Sequence, residues 1–340
     1  MSSRLPMILS LSCAIAITLA AFAETPAAGK IAPKPLYRDP VHDGAADPTL
    51  IWNRAKHDWW MFYTNRRADL DTPNSKDVTW VHQTRIGIAI SQDQGATWKY
   101  HGIVKVPYGQ PDYTHWAPDV VYQGGLYHMF LVIVPGTFTN WDAPRYIIHL
   151  TSSDLETWKF QSKLDLATDR AIDPSLFHLP DGTWRLWYKD ERDHSHIHYA
   201  DSKNLNSWTP KGAAIIDRSS EGPKIFFWHG QYWMVVDAWN GLGVYHSDDA
   251  LHWAPQKDLL LGTPGHIATD RSIGHHADVV VNGDRAFLFY FTHQQGADLV
   301  QTLSHSARRS VIQVAELEFV DGELTVDRDK PTHVLLGTPR

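Results

Sequence analysis

Five acidic residues stand at the beginning of five apolar, strand-like segments of this sequence: Asp47, Asp119, Asp173, Glu221 and Asp278. A single acid in such a place is usually a turn residue that binds local backbone N–H groups. An acid that opens five similar segments instead favours a shared function. Carboxylates that converge on one small space separate one another's pKa values, and general acid and base catalysis depends on such a separation.

The five segments belong to an internal repeat, in which an acid opens an apolar strand, a turn follows, and an aromatic strand completes the unit. The second half of the unit is a strand that runs into a polar turn and ends on Trp. It recurs at residues 91–98, 152–158, 202–208 and 247–253, and a fifth copy is not evident. Period-two patterning with β-branched and aromatic residues, and almost no helical periodicity, predicts an all-β protein.

Five units of about four short strands predict a five-bladed β-propeller. The innermost strand of each blade lines the central channel, so we expect the five acids to meet on one rim. The last strand-like segments, at residues 311–319 and 323–326, are expected to close the ring against the first blade.

Four of the strand openings resemble the blade-start motifs of glycoside hydrolase family 43. They are Asp47-Pro48, His-Trp-Ala-Pro-Asp at 115–119, Ala-Ile-Asp-Pro-Ser at 171–175 and Glu-Gly-Pro at 221–223. That family and the related families 32, 62, 68 and 117 have a five-bladed fold, and family 43 enzymes characteristically hydrolyse arabinosides, xylosides or related sugars with inversion. The resemblance implies that Asp47 is the general base, that Asp173 orients and tunes the acid, and that Glu221 is the general acid.

The chemistry of inversion agrees with these roles. One carboxylate activates water and a protonated carboxyl donates to the leaving oxygen, at a separation of roughly 6.5–9.5 Å. Opposite sides of a narrow funnel supply such a spacing. The longer side chain of Glu221 suits a proton donor, and a neighbouring Asp173 would keep its proton on at neutral pH.

Aromatic and basic residues outside the regular strands are candidates for binding the sugar. Trp116 and Trp239 are predicted to stack on sugar faces, although packing between blades competes for them. Asp119 is also assigned to substrate binding. Arg271 is expected to reach the channel and pair with Asp173 or a substrate hydroxyl, with a surface ion pair as the alternative. A rival acid pair at 190–191 is expected to face solvent.

The fifth blade opens with Gly-His-His-Ala-Asp at 274–278. The resemblance implies a cation or water cluster near such a histidine, and His276 is the candidate metal ligand. Oxygen-rich surroundings favour Ca²⁺ over zinc. The alternative is a simple hydrogen bond from His276 to a carboxylate. The predicted hydrolysis requires no cofactor.

Composition and targeting patterns narrow the setting. The formal charge of −7 over 340 residues, without a basic run, argues against nucleic-acid binding. Residues 1–23 resemble an export signal, 24–36 an extended linker, and 37–340 form the predicted propeller. The expectation is a periplasmic or extracellular protein with a carbohydrate substrate and no membrane span; the sequence does not predict an oligomeric state.

Three other interpretations stay open at this point. The segment at 91–98 resembles the Asp-box turn of sialidases, although five units and the missing Arg clamp disfavour that fold. A family 117-like anhydro-galactosidase would use a His as the acid. A glycan-binding propeller without catalysis would keep the aromatic residues. Departures at 239–243 and an insert at 66–85 indicate a divergent branch, and the insert is expected to favour exo action.

Overall fold

The computed structural model describes residues 29–293 and 305–339. Within these ranges the chain forms five four-stranded antiparallel sheets and one two-stranded sheet. The prediction of an all-β, five-bladed propeller is confirmed. The predicted export signal at 1–23 lies outside the described residues. No helix within the described ranges is both long and apolar enough to cross a bilayer.

Each blade is built from four strands that follow one another in the sequence. Blade 1 contains β2 (Ala45–Asn53), β3 (Asp58–Asn65), β4 (Arg85–Ser91) and β5 (Lys99–Ile103). Blade 2 contains β6 (Thr114–Gln123), β7 (Leu126–Val134), β8 (Tyr146–Ser152) and β9 (Lys159–Lys163). Blade 3 contains β10 (Ala171–His178), β11 (Trp184–Asp190), β12 (His196–Ser202) and β13 (Thr209–Ile215).

The last two blades follow the same plan. Blade 4 contains β14 (Glu221–Trp228), β15 (Gln231–Asp237), β16 (Leu242–Ser247) and β17 (Ala254–Pro255). Blade 5 contains β18 (His275–Asn282), β19 (Arg285–His293), β20 (Ser310–Val320) and β21 (Glu323–Val326). The remaining elements are β1 (Lys30–Ile31), β22 (His333–Val334), a 3₁₀ turn (Thr79–Val81) and a helical turn (His305–Arg308).

The ring closes through contacts between whole blades. The innermost strands β2, β6, β10, β14 and β18 contact one another in that order, and β18 contacts β2. β20 and β21 complete blade 5, and β20 also contacts β2, so the expectation that this segment closes the ring against the first blade is confirmed for β20. Their sequence lacks the Trp-ended turn of the other units, which is why the fifth copy was not recognised.

The segment predicted as a linker is partly inside the fold. β1 pairs with β22, the amide of Ala32 donates to the Thr332 carbonyl at 2.9 Å, and Ala32 and Leu36 are buried in a core cluster. The propeller therefore includes at least residues 30–36. Ala32 and Leu36 stand on either side of Pro33 and Pro35 and bury apolar surface in the core cluster of blades 1 and 5.

A bulge near the start of each innermost strand sets the position of the acids. The register is interrupted between 46 and 49, 116 and 119, 172 and 175, 221 and 224, and 275 and 277. Asp47 and Asp173 lie within the bulge and have positive φ angles of 50° and 56°. Glu221 precedes its bulge, whereas Asp119 and Asp278 follow theirs. The prediction that all five acids meet on one rim is wrong, because a bulge changes which residue faces the rim.

Candidate active site

A cavity of about 560 Å³ opens at the bulged ends of the innermost strands. It is walled by residues of all five blades, so no short segment of the chain could form it. The lining residues that carry charge or an imidazole are Asp47, Arg66, Arg145, Asp173, Lys189, Glu191, Glu221, Asp237, His275, His276 and His293. The three predicted catalytic carboxylates are among them.

Asp47 is a buried carboxylate held between two basic side chains. Its Oδ1 lies 3.3 Å from an Arg66 guanidinium nitrogen and 3.5 Å from Nδ1 of His276. Asp tolerates the left-handed backbone conformation better than most residues. That conformation lets the strand place a short carboxylate at the floor of the cavity.

Asp173 and Glu221 have pKa values moved in opposite directions. Burial raises the pKa of Asp173 to about 7, and the negative charge of Glu221 adds to the rise. Burial would also raise the pKa of Glu221, but the ammonium of Lys189 outweighs it and lowers that pKa to about 2. At neutral pH Glu221 is therefore ionised in the free protein and Asp173 is close to half protonated, so the expectation that Asp173 keeps a proton on Glu221 is not met there.

Lys189 links Glu221 to a second glutamate that we expected to face solvent. Its Nζ lies 2.8 Å from Glu221 Oε2 and 3.3 Å from Glu191 Oε1, and Glu191 Oε2 lies 2.8 Å from Nε of Arg145. Glu191 lines the cavity and Asp190 is buried, so the expectation of a solvent-facing pair is wrong for both residues. Lys189 and Glu191 are two positions apart in the direction of β11, so their side chains lie on the same side of the strand. This spacing is the sequence pattern that could have placed Glu191 beside Lys189.

Asp237 and His275 form a second buried pair that the sequence did not reveal. Asp237 Oδ2 lies 3.0 Å from His275 Nδ1 and accepts from the His276 amide at 3.2 Å. The imidazole of His275 stacks on Phe291 with ring centroids 5.0 Å apart. Asp237 lies opposite Glu221 in the β14–β15 ladder, so its bonds to His275 and His276 join blade 4 to blade 5 beside Glu221.

His276 occupies space that a glycine leaves free. Gly222 lies in the bulge of blade 4, with φ at 55°, where blades 1 and 3 carry Asp47 and Asp173. A Cβ on Gly222 would lie 2.6 Å from Cγ of His276. The absence of a side chain at 222 therefore lets the imidazole approach Asp47.

The two tryptophans predicted to bind sugar both line the cavity, with Trp80 and Trp141 beside them. Trp116 is a packed wall: its Nε1 donates to the Val81 carbonyl at 2.7 Å, and Arg145 lies over its ring at 5.5 Å. Trp239 is 45% exposed. The insert at 66–85 supplies Trp80 to the wall, so it bounds one side of the cavity.

Asp119 is not in the cavity, contrary to the substrate-binding prediction. Its Oδ1 lies 3.1 Å from the ammonium of Lys224, and its Oδ2 accepts from the Leu176 amide at 2.8 Å. Asp278 lies 2.9 Å from the same ammonium. Because both acids follow their bulges, they lie along the central channel instead of its rim.

The described residues do not fit a channel Ca²⁺. Lys224 already places a positive charge between the two channel carboxylates, and their remaining oxygens bind backbone amides. His276 contacts Asp47 and Gly222, and no group of three or more His, Cys, Asp or Glu side chains in the described ranges could hold a metal ion.

Arg271 also lies away from the cavity. It is exposed, and its Nε donates to the His266 carbonyl at 3.4 Å. The expected pairing with Asp173 is not formed. The loop between β17 and β18 directs residue 271 outward, and Lys189 and Arg66 instead supply the basic contacts of Glu221 and Asp47.

Comparisons with known proteins agree with the resemblance. No protein-family model matches the chain. A probable sucrose-6-phosphate hydrolase of Vibrio cholerae is 27% identical over 54% of this chain and 39% of the relative. Another, from a second strain of that species, is 29% identical over 39% of this chain and 28% of its own length. The chain thus spans well under half of these curated relatives.

Solved structures extend the likeness to the whole propeller. A family 43 β-xylosidase/α-arabinofuranosidase from a compost metagenome, in complex with xylotriose, matches with a TM-score of 0.64 at 14% identity, covering 89% of this chain and 98% of that one. A family 43 enzyme of Xanthomonas citri, also with xylotriose, matches with a TM-score of 0.62 at 16% identity, covering 88% and 95%. At these identities the likeness establishes a shared fold, and the predicted resemblance to family 43 is confirmed at that level.

Proposed function

We propose that this protein is a glycoside hydrolase. The observation that carries the proposal is the convergence of Asp47, Asp173 and Glu221, from three different blades, in one cavity with aromatic walls. Two of these carboxyls have pKa values near 7 and near 2. Strongly shifted pKa values of neighbouring carboxyls in a cavity are a physical sign of a functional site.

We assign the base to Asp47 and the proton donor to Glu221, with Asp173 tuning the donor. Glu221 is the best-exposed of the three carboxyls, with 28% of its side chain accessible, and it can reach a leaving oxygen. Lys189 keeps it ionised in the free protein. A substrate that inserts between Lys189 and Glu221 would weaken that ion pair, so the pKa of Glu221 would rise and the proton could move onto it.

The charges of the cavity favour a neutral sugar over a phosphorylated one. Its three strong cations, Arg66, Arg145 and Lys189, each lie within 3.3 Å of a carboxylate. Phosphate binding requires cations free to make charge-assisted bonds. The sequence between 294 and 304 contains no Lys or Arg. Although the curated relatives are named for a phosphorylated sugar, we propose neutral arabinofuranoside- or xyloside-type oligosaccharides, cleaved with inversion and without a metal.

The test is hydrolysis of aryl α-L-arabinofuranosides, β-D-xylosides and β-D-galactofuranosides, with the anomer of the product followed by NMR. We expect turnover with inversion on at least one of them. Glu221→Gln should lose far more activity on a poor leaving group than on 2,4-dinitrophenolate, because only the poor one needs a proton. Asp47→Asn should lose activity on both. Binding without turnover on every neutral glycoside would contradict the proposal.

A further inference from the structure

Two tryptophans differ from the other thirteen in their exposure. Trp141 is 54% exposed and Trp239 is 45% exposed, whereas every other Trp is largely covered. Both line the cavity. Aromatic side chains that line a concave site are typical of ligand-binding pockets. Of the two, Trp239 has contacts that define which part of a substrate it would meet.

The backbone at Trp239 is held in an unfavourable conformation. Its φ is 60°, in the left-handed region that bulky residues rarely adopt. The Trp239 amide donates to Asp237 Oδ1 at 2.8 Å, and the Ala238 amide donates to the Gly241 carbonyl at 3.0 Å. A glycine would suit this turn better. Residues kept in such a conformation cluster at functional sites.

The Trp239 ring lies beside the assigned proton donor. The Lys189 ammonium is 5.2 Å from the ring centroid and 2.8 Å from Glu221 Oε2. The indole N–H is also among the groups that lower the pKa of the Glu221 carboxyl. Lys189 covers part of the ring, and the exposed remainder of Trp239 is available to a ligand.

We propose that Trp239 forms the leaving-group subsite, where its ring stacks on the apolar face of the sugar that is released. This inference rests on the proposed function, because it uses Glu221 as the donor to the leaving oxygen. A ring next to that donor lies on the leaving group's side of the broken bond. The subsite selects oligosaccharides whose leaving group is itself a neutral sugar, since C–H faces of sugars pack on indole rings.

The kinetic experiment compares two substrates that differ in the leaving group alone: xylobiose with β-D-xylosyl fluoride, and α-1,5-arabinobiose with α-L-arabinofuranosyl fluoride. Fluoride cannot stack. Trp239→Ala should lower kcat/KM roughly 10-fold on the disaccharide and within ~2-fold on the fluoride. Trp239→Phe keeps a ring without the N–H and should retain most of the disaccharide activity. An equal loss on both substrates, or none on the disaccharide, would overturn the proposal.

A binding measurement keeps this test separate from the proposed function. In the Asp47→Asn background, calorimetry with xylotriose and arabinotriose should show weaker binding when Trp239 is also changed to Ala, whether or not the protein turns over either sugar. Unchanged affinity for both, or binding of neither trisaccharide, would reject the subsite. Trp141→Ala is the control, because Trp141 is the other exposed tryptophan of the cavity. It should change the ratio of kcat/KM on the disaccharide to kcat/KM on the fluoride less than Trp239→Ala does.

A purely structural role for Trp239 predicts a different result for Trp239→Gly. Glycine adopts φ near 60° without strain, so this variant should melt at or above the wild-type temperature while it loses disaccharide activity. A fall of more than ~5 °C in melting temperature, together with equal losses on disaccharide and fluoride, would show that the ring serves packing.

Discussion

The cavity and the channel beneath it contain the same residue types in two different states. In the channel, Lys224 lies between Asp119 and Asp278, and the carboxylates also bind Thr49 Oγ1 and the amides of Leu176, Leu50 and Val279. In the cavity, Lys189 lies between Glu221 and Glu191, with Asp173 and Asp47 nearby. The channel group is buried and fully bonded, whereas the cavity group is open on one side.

The comparison of the two groups shows how one sequence repeat contributes to the stability of the fold in the channel and to chemistry in the cavity. The channel group ties all five innermost strands together, because β2, β6, β10, β14 and β18 each contribute a partner. A buried ion group is tolerated when every polar atom is paired. In the cavity, accessible carboxyl oxygens and an exposed Trp can be bonded by a ligand. Four predictions test this division, beginning with the largest expected effect.

Asp47→Asn should reduce kcat by ~10²–10⁴-fold, because the assigned base is lost, with little change in melting temperature. Steady-state kinetics on the preferred aryl glycoside and calorimetric melting provide the two readouts. Asp119→Asn is the matched channel variant and should show the opposite pattern, with a large fall in melting temperature and modest kinetic change in the folded fraction. If both variants behave alike, the cavity and the channel do not have separate roles.

Lys224→Ala should destabilise the fold by about 3–5 kcal/mol, since it leaves two buried carboxylates without their cation. Chemical denaturation measures the free energy of unfolding. Because a small side chain at 224 leaves room between the carboxylates, millimolar Ca²⁺ should recover part of the lost stability in this variant and none in the wild type. A wild-type melting temperature that falls in EDTA would contradict the assignment of the channel cation to Lys224.

The pH profile should follow Asp173. Its pKa is raised to about 7, so its protonated form is lost as pH rises through 7, and kcat/KM should decline above that value. A raised carboxyl pKa also stabilises the fold most below the unfolded pKa, near 4, and this contribution disappears as pH rises from about 4 to 7. Asp173→Asn should remove the decline of kcat/KM above pH 7. It should also remove the loss of stability between about pH 4 and pH 7. An unchanged profile would exclude Asp173 as the controlling group.

Gly222→Ala should have the smallest of these effects, about 1–3 kcal/mol in stability, with a several-fold loss of activity. The added Cβ would meet the His276 ring, which must then move away from Asp47. Gly230→Ala controls for backbone strain: it also has a positive φ, but its Cβ would meet nothing within 4 Å. If the two variants lose activity equally, the space beside His276 is not the cause.

Local patterns predicted a large part of this molecule. The repeat predicted five blades and their inner strands, and the Asp-Pro and Glu-Gly-Pro openings identified Asp47, Asp173 and Glu221. The Trp-ended turns also form as the repeat implied: Ser152 Oγ accepts from the Leu155 amide at 2.9 Å, and Ser202 Oγ from the Leu205 amide at 3.0 Å. These features depend on residues close in sequence, so composition and spacing are enough to predict them.

The sequence repeat predicted the fold and the aromatic character of the cavity walls, and the resemblance to family 43 motifs singled out the three cavity carboxylates. The three-dimensional structure was needed to show that Asp119 and Asp278 belong to a channel ion group. It was also needed to show that Glu191 and the pair Asp237–His275 line the cavity. Arg271 lies outside it. These placements are not visible in the sequence pattern, because a bulge shifts the side-chain alternation of a strand by one residue. The partners of each acid also come from neighbouring blades. Because the packing of the blades fixes the distances between these partners, the local sequence contains no pattern that predicts them.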